Sequence, residues 1–120
     1  MVDLQQLIES EGKRYNHLAR VLNEEDYLPG EAEVRELGTE HLFTASRKSL
    51  EFRYGMQLEL LSSTHHLIRL MELYIEQNDL LRESESYETI RGTLANFRLQ
   101  REELTQCLKE KLLAGYDAGW

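Results

Sequence analysis

Breakers are scarce in this chain. One proline, Pro29, and seven glycines punctuate 120 residues, and between Glu40 and Glu83 the only breaker of either kind is Gly55. A run of that length, rich in Leu, Glu and Arg, predicts helix, because unbranched side chains lose little rotamer freedom there. No segment alternates at period two for long enough to make a strand. The chain therefore predicts an all-α fold.

Periodicity divides it into helices. Leu4, Ile8, Tyr15, Leu18 and Leu22 recur at helical spacing, and Asp3 with Gln6 resembles a capping box. Leu28-Pro29-Gly30 is the clear break, because proline removes an N–H and disfavours helix at the residue before it. "EAEVREL" predicts one or two helical turns ended by Gly38, with Thr39 free to cap the next helix. From Glu40 to Glu83, Leu42, Ala45, Ser49, Phe52 and Met56 hold a heptad-like line, which Leu60, Leu67, Met71, Tyr74 and Leu81 continue after a four-residue step. Within it, residues 67–75 are apolar in nearly every direction, the pattern of a helix enclosed on most sides, at the centre of the core or of an interface. The last helix has Ser86 as a cap and Tyr87, Ile90, Leu94, Phe97, Leu104 and Leu108 at three- and four-residue steps. Arg101 falls on that line, where it either snorkels to water or pairs with an acid, and Gly115 is the expected stop. One domain, residues 1–115, and a short tail, 116–120, follow.

"SST" at 62–64 decides the architecture. A break there yields four matched helices; yet three hydroxyl residues without Gly, Pro, Asn or Asp make a poor reversal. Such residues inside a helix bond back to the carbonyl four residues earlier. The expected fold is an antiparallel helical bundle or hairpin with a long central helix: three long helices, or four if the central helix breaks near residues 62–64. Unbroken from Glu40 to Glu83, that helix is roughly 65 Å long. Its flanking helices leave apolar surface for a second copy or another protein to cover.

The net charge is −8, and residues 1–38 carry nine acidic against four basic groups. This disfavours nucleic acid and anionic membranes as partners. The single cysteine, Cys107, allows no internal disulfide and no CxxC site. The start "MVDLQQLIESEGK" is acidic and amphipathic, unlike a signal peptide, and no run approaches the ~18 apolar residues of a membrane span. A cytoplasmic location is the expectation.

Reactive constellations are not apparent. His65 and His66 are adjacent, so on a helix they diverge by about 100°. Neither has a carboxylate three or four residues away, and neither ExxH nor HExxH occurs. His65 is expected beside Leu61 and Ile68 at the core edge, with His66 in water. His17 and His41 are isolated in sequence, and Cys107 lies on a helix flank. No GxSxG, P-loop or GxGxxG is present. Catalytic residues, metal ligands and cofactors are therefore all expected to be none.

The expected function is non-enzymatic: a chaperone- or assembly-adaptor-like protein that binds a protein partner or forms a homodimer through apolar helix faces. That likeness is one of shape alone. The residues expected to carry the contact are Leu67, Met71, Tyr74, Ile90, Leu94, Phe97, Leu104 and Leu108, with Tyr27 on an exposed loop and Trp120, expected to pack on its own domain or a partner, as further anchors. An acidic inhibitor masking a basic site through Glu24, Glu25, Asp26, Glu31, Glu33 and Glu36 is the alternative, and a small enzyme or metal protein with a cross-helix His/Glu site the second.

Overall fold

Asp3 has extended backbone, φ −88° and ψ 105°, and its Oδ1 accepts from the N–H groups of Gln5 at 3.0 Å and Gln6 at 3.5 Å. These are donors that a helix start leaves open. In the computed structural model, which describes residues 3–24, 27, 29–44, 50–78 and 84–117, the helix so begun is α1, Leu4–Asn23. After the break at Pro29, α2 spans Glu31–Glu36. It ends where the sequence places its stop: Gly38 sits at φ +68°, Gly38 N–H donates to Arg35 O at 3.2 Å and Thr39 N–H to Val34 O at 3.0 Å. This pair of bonds is a Schellman closure, which requires the left-handed residue that glycine supplies.

Thr39 does not cap a following helix. Its hydroxyl donates to Val34 O at 3.3 Å and faces His17 at 3.2 Å. A 3₁₀ turn, Glu40–Thr44, comes next, and α3 spans only Leu50–Gln77. At 28 residues α3 is about 42 Å long, shorter than the expected helix from Glu40. Ala45, Ser49 and Leu81 of the expected heptad line lie outside the described residues. Helix α3 is continuous through 62–64. Thr64 donates back to Leu60 O at 2.7 Å, and Ser63 and Thr64 are fully buried. Small hydroxyl residues therefore lie in the packed centre of α3, not in a turn.

The last helix, α4, spans Ser86–Asp117 and carries on through Gly115. A helical glycine costs about 1 kcal/mol against alanine, which a helix of this length tolerates.

Helix α3 is the middle of the stack, with α1 and α4 each packed against it and antiparallel to it. Toward one end, Leu18 and Val21 of α1 meet Phe52, Met56 and Leu60 of α3. Toward the other, Ile68 and Met71 of α3 meet Leu94 of α4, with Ile8, Ile75, Ile90 and Phe97 at the margin. Each fully buried aliphatic contributes about 1.5–3 kcal/mol. Phe43 docks the 3₁₀ turn edge-on to Phe52, ring centroids 5.5 Å apart. Tyr15 ties α1 to α4: its ring meets Phe97 edge-on at 5.2 Å, and its hydroxyl donates to Gln100 Oε1. Across the α1–α3 seam a polar line connects His66, Glu11, Arg14 and Glu59, and ends on His41 of the 3₁₀ turn.

The radius of gyration is 16.6 Å and the extents are 53 × 35 × 26 Å, elongated against the roughly 14 Å of a compact chain of this length. Among the described residues no helix is long and apolar enough to cross a membrane.

Candidate functional site

Three features outside the ordinary core have the geometry of sites: a polar latch, a half-covered apolar end, and a cleft.

The latch holds α2 on α1. His17, 3% exposed, has Nδ1 at 3.3 Å from Glu33 Oε1 and Nε2 at 3.2 Å from Thr39 Oγ1. Tyr27 donates its hydroxyl to both Glu33 oxygens at 2.7 Å, and Arg20 lies 3.9 Å over the Tyr27 ring. The Tyr27 hydroxyl, aided by His17 and opposed by partial burial, holds the Glu33 carboxyl below its ordinary pKa. The same bond raises the Tyr27 phenol above its own. A hydroxyl, an imidazole and a carboxylate in series resemble a nucleophile relay. Here the hydroxyl is sealed: Thr39 is 0% exposed and donates to Val34 O. What the arrangement does is fasten a six-residue helix that has no buried residue of its own. Tyr27, expected as an exposed anchor, is half-buried within this latch.

The apolar residues expected at a contact divide by burial. Leu67, Met71, Leu94 and Leu108 are buried, while Tyr74, Ile90, Phe97 and Leu104 are half-buried. Of the α4 stripe, Leu94 is buried within one core cluster and Ile90, Phe97 and Leu104 border the two, so this part of the stripe is shared with α3. Trp120 lies outside the described residues. The stretch 67–75 is only partly enclosed within the chain: Leu67, Ile68 and Met71 are buried, and Leu70, Leu73, Tyr74 and Ile75 are each partly open to solvent. For Tyr74 the cause is the length of α1. Glu11 pairs with His66 across the antiparallel seam at 3.4 Å, so with equal rise Leu4, the start of α1, falls about level with residue 73. The last turn of α3 runs past α1, while α4, in register through Arg98 and Glu72 at 3.9 Å, continues alongside it; Leu70 and Leu73 lie level with the first turn of α1 and stay partly open beside it. Leu7, 40% exposed, and half-buried Leu4 lie on the first turns of α1 at this end, and Tyr87 and Ile90 on the first turns of α4. Sequence reasoning passed over Leu7 as a contact residue, while Leu70 and Leu73 fell within the 67–75 segment expected at the contact. The signal for Leu7 was a large apolar side chain off the core-facing line.

The cleft lies at the opposite half. Beyond the contacts of Tyr15 with Phe97 and Gln100, a space of about 370 Å³ lies between α1 and α4. Its walls are Tyr15, Ala19, Leu22 and Asn23 from α1 and Gln100, Glu103, Leu104 and Cys107 from α4, with Leu60 as floor. Desolvation at the closed end raises the Tyr15 phenol, and the Gln100 bond partly offsets it.

The remaining sequence candidates fall elsewhere. His65 and His66 are both exposed, so His65 is not at the core edge, and His66 meets Glu11 instead of water alone. Among the described residues no three His, Cys, Asp or Glu side chains gather as a metal shell, and no ion pair reaches half-buried Arg101. Of the six acids, Glu24 pairs with Arg20 at 3.4 Å and Glu33 belongs to the latch. Glu31 and Glu36 are exposed, and Glu25 and Asp26 lie outside the described residues. No family model, no curated protein and no solved structure matches the chain.

Proposed function

We propose that this chain is a non-enzymatic, chaperone- or assembly-adaptor-like protein that docks a partner protein on the apolar end of its bundle. One observation carries the reading: Leu70, Leu73 and Tyr74 lie at three- and four-residue spacing on one face of the last turns of α3, and all three stay partly in water. Single exposed apolar residues are ordinary, whereas a contiguous set on a small domain marks a contact surface. Leu7 extends the set onto α1. Covering the open part of each side chain contributes roughly 1 kcal/mol. The Tyr74 ring supplies the kind of rigid aromatic anchor that concentrates binding energy.

The test compares variants that fold alike. Tagged wild type, Leu73→Asp and Leu58→Asp are incubated with extract of the native host, and retained proteins are quantified. Leu58, 44% exposed on the half of α3 away from this end, is the control. The reading expects a protein held by wild type and by Leu58→Asp, insensitive to added salt, and lost with Leu73→Asp. Retention that survives Leu73→Asp, and instead falls with salt and with neutralised Glu31 and Glu36, would transfer the assignment to the acidic inhibitor.

A further inference from the structure

The latch that holds α2 has a proton count fixed by its heavy atoms. A hydroxyl has one hydrogen, and that of Thr39 points to Val34 O at 3.3 Å. Toward His17 Nε2, at 3.2 Å, Thr39 Oγ1 therefore offers only lone pairs, so Nε2 carries the hydrogen of that bond. The other ring nitrogen, Nδ1, faces Glu33 Oε1 at 3.3 Å. That carboxyl accepts the Tyr27 hydroxyl on both oxygens, which favours its ionised form, and an ionised carboxylate has no hydrogen to give. Nδ1 therefore donates as well. A neutral imidazole has one N–H, so a ring that donates from both sides is an imidazolium. Among the described residues, no other side chain competes for either nitrogen. The α3 side chains packed on this part of α1, Phe52, Met56 and Leu60, are apolar, and Glu59 of α3 is held by Arg14 and His41. Glu40 of the 3₁₀ turn meets Arg35 at 3.7 Å. On α1 itself, Arg20 lies over the Tyr27 ring and pairs with Glu24 at 3.4 Å. Both nitrogens are satisfied without Glu25 or Asp26, which lie outside the described residues.

We propose that the latch is a proton-gated fastener: an imidazolium at His17 holds α2 on α1, and α2 lifts away when that ring gives up one proton. The ring is 3% exposed, so the proton leaves as the latch opens. Opening parts Glu33 from His17 and from Tyr27, whose ring packs beside the cluster of Leu18 and Val21. Imidazole is the side chain that changes charge near neutral pH, and docking of α2 falls over that range. The docked state binds one more proton than the open state. Docking is therefore complete in mild acid and weakens by at most about tenfold per pH unit as pH rises. The device concerns α2 alone and stands whether or not the apolar end binds a partner.

The test is an NMR titration of the full, nitrogen-labelled chain from about pH 5.5 to about pH 8.5. Ring-nitrogen shifts read the protons on His17, and the nuclear Overhauser contact between the His17 ring and the Thr39 methyl reads docking. Both nitrogens should carry hydrogen wherever that contact is present, and the contact and the second proton should fade together as pH rises. Glu33→Gln should uncouple them. Its amide can donate to a bare Nδ1 while a neutral ring donates from Nε2 to Thr39, so α2 should stay docked across the whole range. A bare ring nitrogen in the docked wild type would mean that the Thr39 hydroxyl has turned from Val34 O to Nε2, and it overturns the proposal. So does docking that is unchanged from one end of the range to the other, or absent throughout it, in the wild type. A pH dependence that survives Glu33→Gln also overturns it. Should Glu33→Gln fail to dock at any pH, the wild-type titration decides alone.

Discussion

Two side chains show how much depends on where a polar atom ends up. The Glu33 carboxylate is held in its ionised form by the Tyr27 hydroxyl. Because its folded pKa lies below the unfolded value, the latch adds stability above the ordinary carboxylate range. That contribution is lost as pH falls through the depressed folded value. Tyr27 has the opposite sign: its raised phenol pKa gives stability that is complete below about 10 and lost as pH rises through the folded value. Tyr27→Phe should therefore raise the Glu33 pKa, read by carbon-detected NMR titration, and lower stability by about 1 kcal/mol at neutral pH. An unchanged Glu33 titration would contradict the latch. Ser63 is the reverse case. Its Oγ is buried without a hydrogen-bond partner among the described residues, and a buried unpaired hydroxyl is a liability. Ser63→Ala should leave urea stability unchanged or raise it by up to about 1 kcal/mol; a fall of that size would show that the hydroxyl has a partner.

The helices differ in how far the chain announced them. On α4 the line 87, 90, 94, 97, 101, 104, 108 is buried or half-buried throughout, while most positions between are exposed. A 3.6-residue period leaves a long helix packed on one side no other choice. Asp3 and Gly38 were legible for the same reason: capping and left-handed closure are local chemistry. Gly38→Ala should cost about 1 kcal/mol by forcing a side chain into φ > 0, checked by urea unfolding; a neutral result would mean that the closure relaxes. The first turns of the expected central helix were misread because periodicity does not separate a 3₁₀ turn from α-helix over five residues. The latch was out of reach altogether. His17 meets partners 16 and 22 residues away, and no spacing rule connects them. The cleft was equally hidden, since it exists only through the relative placement of α1 and α4. At the packed seam, Leu94→Ala should cost about 2–5 kcal/mol. Leu99→Ala, on an exposed side chain, should cost under 0.5 kcal/mol. Similar losses from both, measured by urea unfolding, would place Leu99 in the core.

At the scale of the whole molecule, three helices of unequal length cannot cover one another along their full extent. Helix α3 has 28 residues and α1 has 20, so the last turn of α3 lacks cover from α1, next to partly open Leu70, Leu73 and Tyr74. The account rests on that end being wet in the free chain and dry in a complex. Hydroxyl-radical footprinting of the purified chain, alone and with its captured partner, measures this directly at Leu70, Leu73 and Tyr74, with Leu58 as the internal reference. The account predicts strong labelling of all four residues in the free chain and selective protection of the first three in the complex. Uniform labelling in both states, or an end already protected in the free monomer, would contradict it.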